Sequence, residues 1–360
     1  MLAVTVNVKD RLLEIRDVDR KGKGNVLLKT LRNGICGTDR EIANFKFKYT
    51  QPEEGEYLIL GHEALAKVIS VKDEGLFKEN DIVMPINRRG CGKCLNCILG
   101  RPDFCDTGLF RETGIRGLDG FMREFFYDDA EYLVKVFPGI EDIAILAQPL
   151  SDLEKSVEVI LKIQERLNWR CWDSTYSCRK ALIGGTGPIG ILTSLLLKTM
   201  GFDVTMMNKR EINEVEEEIV KETGINYYDN TKGLGSLEGG FDIYFDTTGY
   251  IPLILDAIRL SKRNSIIALF GFPSTDIKGD FNSDLLFNII DKQIAIVGLE
   301  NGQKPHFERA LVHLATWKSI WPKTMAKLIT RKVKIEDFEE VKKAIKEKGK
   351  DEIKVTIEWG

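Results

Sequence analysis

Histidine is scarce in this chain: three residues in 360, at positions 62, 306 and 313. Any imidazole chemistry must run through one of them. No run of about eighteen apolar residues occurs, so no membrane-spanning helix is expected. The formal net charge is −3, with no basic or acidic excess, and nothing points to nucleic acid or an anionic membrane surface as partner. The N-terminus "MLAVTVNVKD" has neither the charged start nor the apolar run of a signal peptide and reads as a strand. The expectation is a soluble cytoplasmic protein with reduced thiols. Composition, 43% apolar and 30% charged, is that of a globular chain, and the length implies about two domains.

Cysteine is also sparse, seven in all, yet four fall within fifteen residues, in "RRGCGKCLNCILGRPDFC". Cys91, Cys94, Cys97 and Cys105 are spaced C-x2-C-x2-C-x7-C. Clustered cysteines in a reducing compartment favour metal over disulfides. Four thiolates close a tetrahedral Zn²⁺ shell with no open position, the mark of a structural site. An iron–sulfur cluster uses related spacing. No proline follows Cys105 and the loop is charged, so zinc is the reading here. The cysteines staple a loop with little core of its own.

The texture of the chain divides it. Residues 1–150 carry short strand-like runs broken by Gly, Pro and Asn, such as "VLLKTLRNGICG", "LAKVISV" and "DIVMPINRRG", and suggest an antiparallel, loop-rich domain. A helix is expected over Ser151–Asn168, with Leu153, Val157, Ile160, Leu161 and Leu167 on one face and Ser151 and Glu154 as a capping box. From Lys180 strands and helices alternate, which implies a parallel sheet with right-handed crossovers. Residues 301–360 are expected to rejoin the first domain and to end in the strand "IKVTIEW". The glycine-rich "TKGLGSLEGG" (Thr231–Gly240) has no strand–turn–helix around it and reads as a surface turn.

"ALIGGTGPIG" runs from a strand into a helix, with Gly185, Gly187 and Gly190 as G-x-G-x-x-G and Pro188 and Ile189 inside the loop. The glycines allow a tight turn, close approach of the backbone to a pyrophosphate, and close helix–strand packing. The next strand ends "VTMMNKRE". An NAD-preferring site usually has an acidic residue at this tip; here Asn208, Lys209 and Arg210 suit a 2′-phosphate, and Glu211 lies beyond the tip. NADP is therefore expected, with NAD tolerated.

A second metal constellation lies upstream. "GICGTDREI" gives Cys36, Thr38 and Asp39, and "LGHEAL" gives His62 and Glu63. One thiolate, one imidazole and one carboxylate or water make an open, catalytic zinc site.

With these motifs in place, the chain resembles the zinc-dependent medium-chain dehydrogenases, and among them the archaeal-type glucose dehydrogenases. "NGICGTDREI", "LGHEA", "VMPINRRGCGKC", "GRPDFC", "DGFMRE", "ILAQPL", "GTGPIG" and "NGQKPHF" carry the resemblance. It implies an α/β protein: a GroES-like β-rich catalytic domain (1–150 and 301–360) and a Rossmann coenzyme domain with a doubly wound parallel sheet (151–300). It implies two zinc ions per chain, the catalytic one held by Cys36, His62 and Glu63 with Gln148 near or on the metal through water. Thr38 would relay the substrate proton. Asn87, Glu112, Gln148, Asp152 and Asn301 would meet sugar hydroxyls. Thr248 of "DTTG", Phe270 and Phe272 of "FGF", and Asn301 would line the cofactor.

The implied reaction is oxidation of an aldose at C1 to the lactone, in a homotetramer. The family's substrate-facing histidine falls here near Asp291, where no histidine stands. A polyol or secondary-alcohol dehydrogenase, or a non-catalytic NADP-binding scaffold, are the other classes open. For Cys171 and Cys178, around "WDSTYS", two states stay open: free thiols, or a bond of the kind heat-adapted intracellular proteins form. His306 and His313, seven apart, read as packing residues.

Overall fold

The computed structural model describes residues 1–72, 75–237, 239–273 and 277–360. The chain forms two compact units. One comprises Met1–Ser151, Asn301–Ile320 and Leu328–Gly360, the other Asp152–Glu300 and Trp321–Lys327. The short helix Pro322–Lys327 thus packs with the second unit, not with the segment that returns to the first. The reason is local: the Glu222 carboxylate accepts the backbone N–H groups of Lys323 (3.1 Å) and Thr324 (2.6 Å) and so caps that helix.

The first unit is built on the strand Val26–Ile35. It pairs antiparallel with Ala64–Val71, Phe125–Asp128 and Lys354–Glu358, in a seven-stranded sheet. Its alternating Val26 and Leu28 enter a core with Ala66, Val68, Val83, Phe121 and Phe126. A second core gathers Val4, Ile35, Ile42, Leu60, Met122, Val355 and Ile357. A small three-stranded sheet, Arg88–Arg89, Arg111–Thr113 and Gly117–Leu118, brackets the cysteine loop.

The second unit holds a six-stranded parallel sheet in the order 226–229, 203–208, 180–184, 243–246, 266–269, 295–298. The chain winds outward from Lys180–Gly184 on one side, then returns to its other side. The order therefore reverses beside that strand, and Gly185 follows its carboxyl end, where open α/β sheets bind ligands. The helix Pro188–Thr199 buries Ile191, Leu192, Leu195 and Leu196. At about 1.5–3 kcal/mol per buried aliphatic side chain, this packing fixes the helix on the sheet.

Several elements differ from the sequence expectation. The helix expected over Ser151–Asn168 spans Ala147–Gln164. The turn Ala144–Leu146 runs straight into it, and Pro149 sits in the first helical turn, where no N–H is required. Ser151 is consequently inside the helix and caps nothing; its hydroxyl donates to the Gln148 carbonyl at 2.7 Å. The strand Asn226–Asp229 and the helix Ser283–Asp291 were not among the expected elements.

Candidate active site

Cys36 directly follows the strand Val26–Ile35 and caps the helix Gly37–Ala43; its N–H donates to Asp39 Oδ2 at 2.8 Å. His62 and Glu63 lie just before the strand Ala64–Val71, which pairs with the same strand. Sheet register thus brings Cys36, His62 and Glu63 together, with one ligand atom of each within 4.8 Å of the others. His62, Glu63 and Asp39 are buried. Asp39 Oδ1 sits 3.4 Å from His62 Nδ1, and neither atom completes a hydrogen bond. Burial opposes charging of His62, and the adjacent Asp39 carboxylate outweighs it, so the ring's pKa lies well above 6.5. A sulfur, nitrogen and oxygen donor set, with a carboxylate beside the imidazole, fits zinc.

Glu63 needs room. A Cβ on Gly34 would fall 1.9 Å from Glu63 Oε2, so a larger residue there would displace the Glu63 carboxylate. Thr38 lies in the first turn of the same helix, Oγ1 4.0 Å from Cys36 Sγ. Gln148 is buried in the first turn of the helix from Ala147.

Asn87, Glu112 and Asn301 are joined by hydrogen bonds. Asn87 Nδ2 donates to Asn301 Oδ1 (3.2 Å), and Asn301 Nδ2 to Glu112 Oε1 (2.9 Å). Asp152, also expected to meet sugar, belongs to the second unit. Asp291 does not join them. It ends the helix Ser283–Asp291 and pairs at the surface with Arg263, 2.8 Å away.

The four remaining loop cysteines also converge, each offering a sulfur within 4.8 Å of the rest. The N–H groups of Lys93 (3.5 Å) and Cys94 (3.4 Å) point at Cys91 Sγ. Hydrogen bonding by the Thr107 hydroxyl, then by these N–H groups, brings Cys91 down to about 5, while burial pushes Cys97 up to about 12. The donors around Cys91 and Cys105 thus favour the thiolate form that a metal requires.

In the second unit, Gly185 (φ +103) and Gly190 close the strand–helix turn. A Cβ on Gly190 would lie 2.0 Å from the Gly185 carbonyl oxygen, and Gly187 caps the helix that begins at Pro188 and Ile189. A cavity of about 470 Å³ opens here, lined by Gly185, Asn208, Lys209, Thr231, Thr248 and Tyr250, among others. Thr231 and Gly233 of the glycine-rich stretch form a turn, as expected, but one that walls this cavity. Glu238 of that stretch lies outside the described residues.

Asn208 Nδ2 donates to Thr186 Oγ1 at 2.6 Å, and Arg210 forks onto buried Glu216 at 2.6 and 2.8 Å. Buried Asp246 takes bonds from the Thr248 hydroxyl and Gly249 N–H, both 2.8 Å; burial raises its pKa. The N–H groups of Phe270 and Gly271 donate to the Asp246 carbonyl, which places "FGF" at the same sheet end; Phe272 is exposed.

Cys171 and Cys178 form a disulfide. His306 is buried, its Nδ1 accepting the Gln303 N–H at 2.9 Å, and His313 stacks on Trp317. Lys354, Arg88 and Glu216 were not foreseen as site neighbours, whereas Asp39 stood in the sequence motif with Cys36. For Glu216 a signal existed, since Asn213-x-x-Glu216 is a capping box.

Fold and donor sets together define a medium-chain, zinc-type dehydrogenase scaffold. Residues 22–138 match the alcohol dehydrogenase GroES-like domain, and residues 141–359 the glucose dehydrogenase C-terminus. Glucose 1-dehydrogenase 2 of Saccharolobus solfataricus is 50% identical over 372 residues, covering 100% of both chains. Glucose 1-dehydrogenase 1 of Picrophilus torridus is 47% identical, again over 100% of both. The structure of Haloferax mediterranei glucose dehydrogenase in complex with NADP, Zn and gluconolactone superposes with a TM-score of 0.87 at 25% identity, over 100% of this chain and 99% of that one. The chain belongs to the zinc-dependent medium-chain dehydrogenase family, in its glucose dehydrogenase branch.

Proposed function

We propose that this protein oxidises an aldose, D-glucose or a related sugar, at C1 to the aldonolactone, with hydride passing to NADP or, less readily, NAD. The observation that carries this reading is the convergence of Cys36, His62 and Glu63 in a chain half identical, end to end, to a glucose 1-dehydrogenase. The Haloferax relative was solved with NADP, zinc and the lactone that glucose oxidation yields.

Cys36, His62 and Glu63, with Gln148 beside them through water, would hold the catalytic ion, which supplies Lewis-acid stabilisation of a developing alkoxide. Cys91, Cys94, Cys97 and Cys105 would hold the structural one. Thr38 takes the proton of the reacting hydroxyl and passes it toward the cofactor ribose and solvent. Asn87, Glu112, Asp152 and Asn301 bond the remaining hydroxyls; a site built for several hydroxyls discriminates strongly against alkyl alcohols. Gly185 to Gly190 cradle the pyrophosphate, Asn208, Lys209 and Arg210 the 2′-phosphate, and Thr248, Phe270, Phe272 and Asn301 the rest of the cofactor. In this reading the first unit is catalytic and the second binds coenzyme.

The working form is a cytoplasmic homotetramer. No described helix is long and apolar enough to cross a membrane. Two apolar surfaces support assembly. The sheet edge at Ala295–Gly298 exposes Ile296, with Leu286, Phe287 and Ile290 exposed on the preceding helix, and the cysteine loop exposes Leu95, Ile98, Leu99 and Leu109. Two self-complementary patches are what a dimer of dimers requires, and an uncovered apolar edge strand is a liability in a monomer.

A screen of epimeric aldoses, polyols and alkyl alcohols with both cofactors tests the reading. Fastest reduction of NADP with an aldose, and lactone as product, is expected. Turnover confined to polyols or alkyl alcohols overturns it. Zinc analysis should give two ions per chain; one ion with no turnover points to a scaffold protein.

A further inference from the structure

Arg88 is a buried arginine that the chemistry above leaves without a task. It sits on the strand Arg88–Arg89 directly opposite Glu112 in the antiparallel pairing with Arg111–Thr113. Only 2% of it is exposed. Its guanidinium lies flat on the Phe110 ring, 3.8 Å from the centroid, and so cannot swing. From that position Nε and Nη2 both donate to one oxygen, Glu112 Oε1, at 3.2 and 3.1 Å. Asn301, held in the left-handed region at φ +52, donates to the same oxygen at 2.9 Å. Three N–H donors therefore converge on Oε1. Among the described residues none donates to Oε2.

We propose that Arg88 is the positioning residue that fixes Glu112 as a one-sided acceptor, so that the site reads a hydrogen-bond donor on one carbon of the sugar. This rests on the aldose reading of the site. Arg88 fixes the plane of the carboxylate through its two bonds to Oε1, and Asn301, itself held by Asn87, completes the set. A carboxylate so held accepts and cannot donate. A substrate hydroxyl facing it must supply its proton. A fluorine there fails as badly as a hydrogen, because fluorine has no proton to give. An amino group, which carries donors, is accepted. The planar fork matters as well: a lysine ammonium has neither its geometry nor its flat face for Phe110.

The test measures kcat/KM for the preferred aldose and for its monodeoxy, monodeoxyfluoro and amino analogues, in the wild type and in Arg88→Gln, Arg88→Lys, Glu112→Gln and the Arg88→Gln/Glu112→Gln double variant. In the wild type, one ring position should show about a tenfold to hundredfold loss for both deoxy and fluoro analogues, the range of a hydrogen bond to a charged group. The amino analogue should be spared. In Glu112→Gln and in Arg88→Gln this discrimination should collapse to a similar extent, with the double variant no worse than either single. Arg88→Lys should retain only part of it.

Each ratio is taken within one variant, so partial unfolding does not mimic the effect, and Arg88→Lys serves if the glutamine variant does not fold. Discrimination that survives in both Arg88 variants while Glu112→Gln removes it overturns the role of Arg88. Discrimination that survives Glu112→Gln overturns instead the reading of Glu112 as a sugar contact.

Discussion

Lys354 places its ammonium 2.7 Å from both carboxylate oxygens of Glu63, and both side chains are sealed from solvent. The two residues are 291 positions apart in the chain. A buried ion pair adds little over a well-packed apolar pair, but removing one partner leaves an uncompensated charge. Lys354→Met should therefore destabilise the metal-free protein by about 3–5 kcal/mol. Adding Glu63→Gln to that background should restore part of the loss. Denaturant unfolding of the two variants checks this, and a double variant as unstable as the sum of both single changes excludes the pairing.

The two cysteine sets should separate by what their loss does. Cys36→Ser is expected to abolish turnover and leave NADP binding intact, with one zinc fewer per chain. Cys94→Ser should also lose one zinc, but its main effect should be a lower melting temperature, because a closed four-sulfur site contributes folding energy. Metal content, cofactor titration and thermal unfolding on the same samples decide it. Full activity in Cys36→Ser rejects that residue as a ligand.

How much of this was legible depended on distance along the chain. The cysteine loop and the glycine turn could be read because their parts lie within one short segment, where spacing sets geometry. Cys36 and His62 could be suspected because chemistry-bearing residue types are few. Lys354 could not, since nothing in a lysine near the C-terminus says that the strand it begins pairs beside Ile35. Arg88 was hidden for a related reason: its partner Glu112 is set by cross-strand register in two very short strands. The helix starting at Ala147 was misplaced because Ser151 and Glu154 imitate a cap four residues inside it. Asp291 was located by counting along a sequence, and the fold puts that count on the surface.

In the proposed reading, cofactor preference turns on Arg210. Its two Nη atoms are committed to Glu216, which is buried and also accepts the Asn213 N–H at 3.0 Å. The cation is thus partly neutralised before any phosphate arrives, a physical basis for tolerating NAD. Arg210→Ala is still expected to weaken NADP far more than NAD, since even a partly neutralised guanidinium matters more to a dianionic phosphate than to a neutral ribose. Fluorescence titration with each cofactor measures it. Equal losses for both would show that Arg210 serves the Glu216 cap and not the phosphate.

The disulfide between Cys171 and Cys178 closes a short loop, seven residues apart in sequence. The loop is otherwise held by Tyr176 stacked on Phe202 and by Arg179 donating to the Trp169 carbonyl at 2.8 Å. For a loop of this length the chain-entropy model gives about 2.5 kcal/mol. Cys171→Ser should lower global stability by no more than that, and leave turnover unchanged at moderate temperature. Mass analysis after alkylation without reductant checks the bond itself: two additional modified thiols would show that it is absent.

Asp128 gives a pH dependence with a definite sign. Its Oδ2 lies 2.6 Å from Arg89 Nη2, the arginine that leads into the cysteine loop and stacks on Tyr132. Burial nevertheless dominates and raises the carboxyl from 3.8 to about 6. The folded protein therefore prefers the protonated acid. That preference contributes fully below the unfolded value and is lost as pH rises through about 6. A shift of this size corresponds to up to about 3 kcal/mol. Asp128→Asn cannot titrate. The stability of the wild type relative to Asp128→Asn should therefore shrink as pH is raised from about 4 to about 7. Unfolding both proteins across that range isolates the one group, because every other titration is common to the pair. A difference that stays flat, or that grows with pH, would mean the Arg89 ion pair outweighs burial at this position.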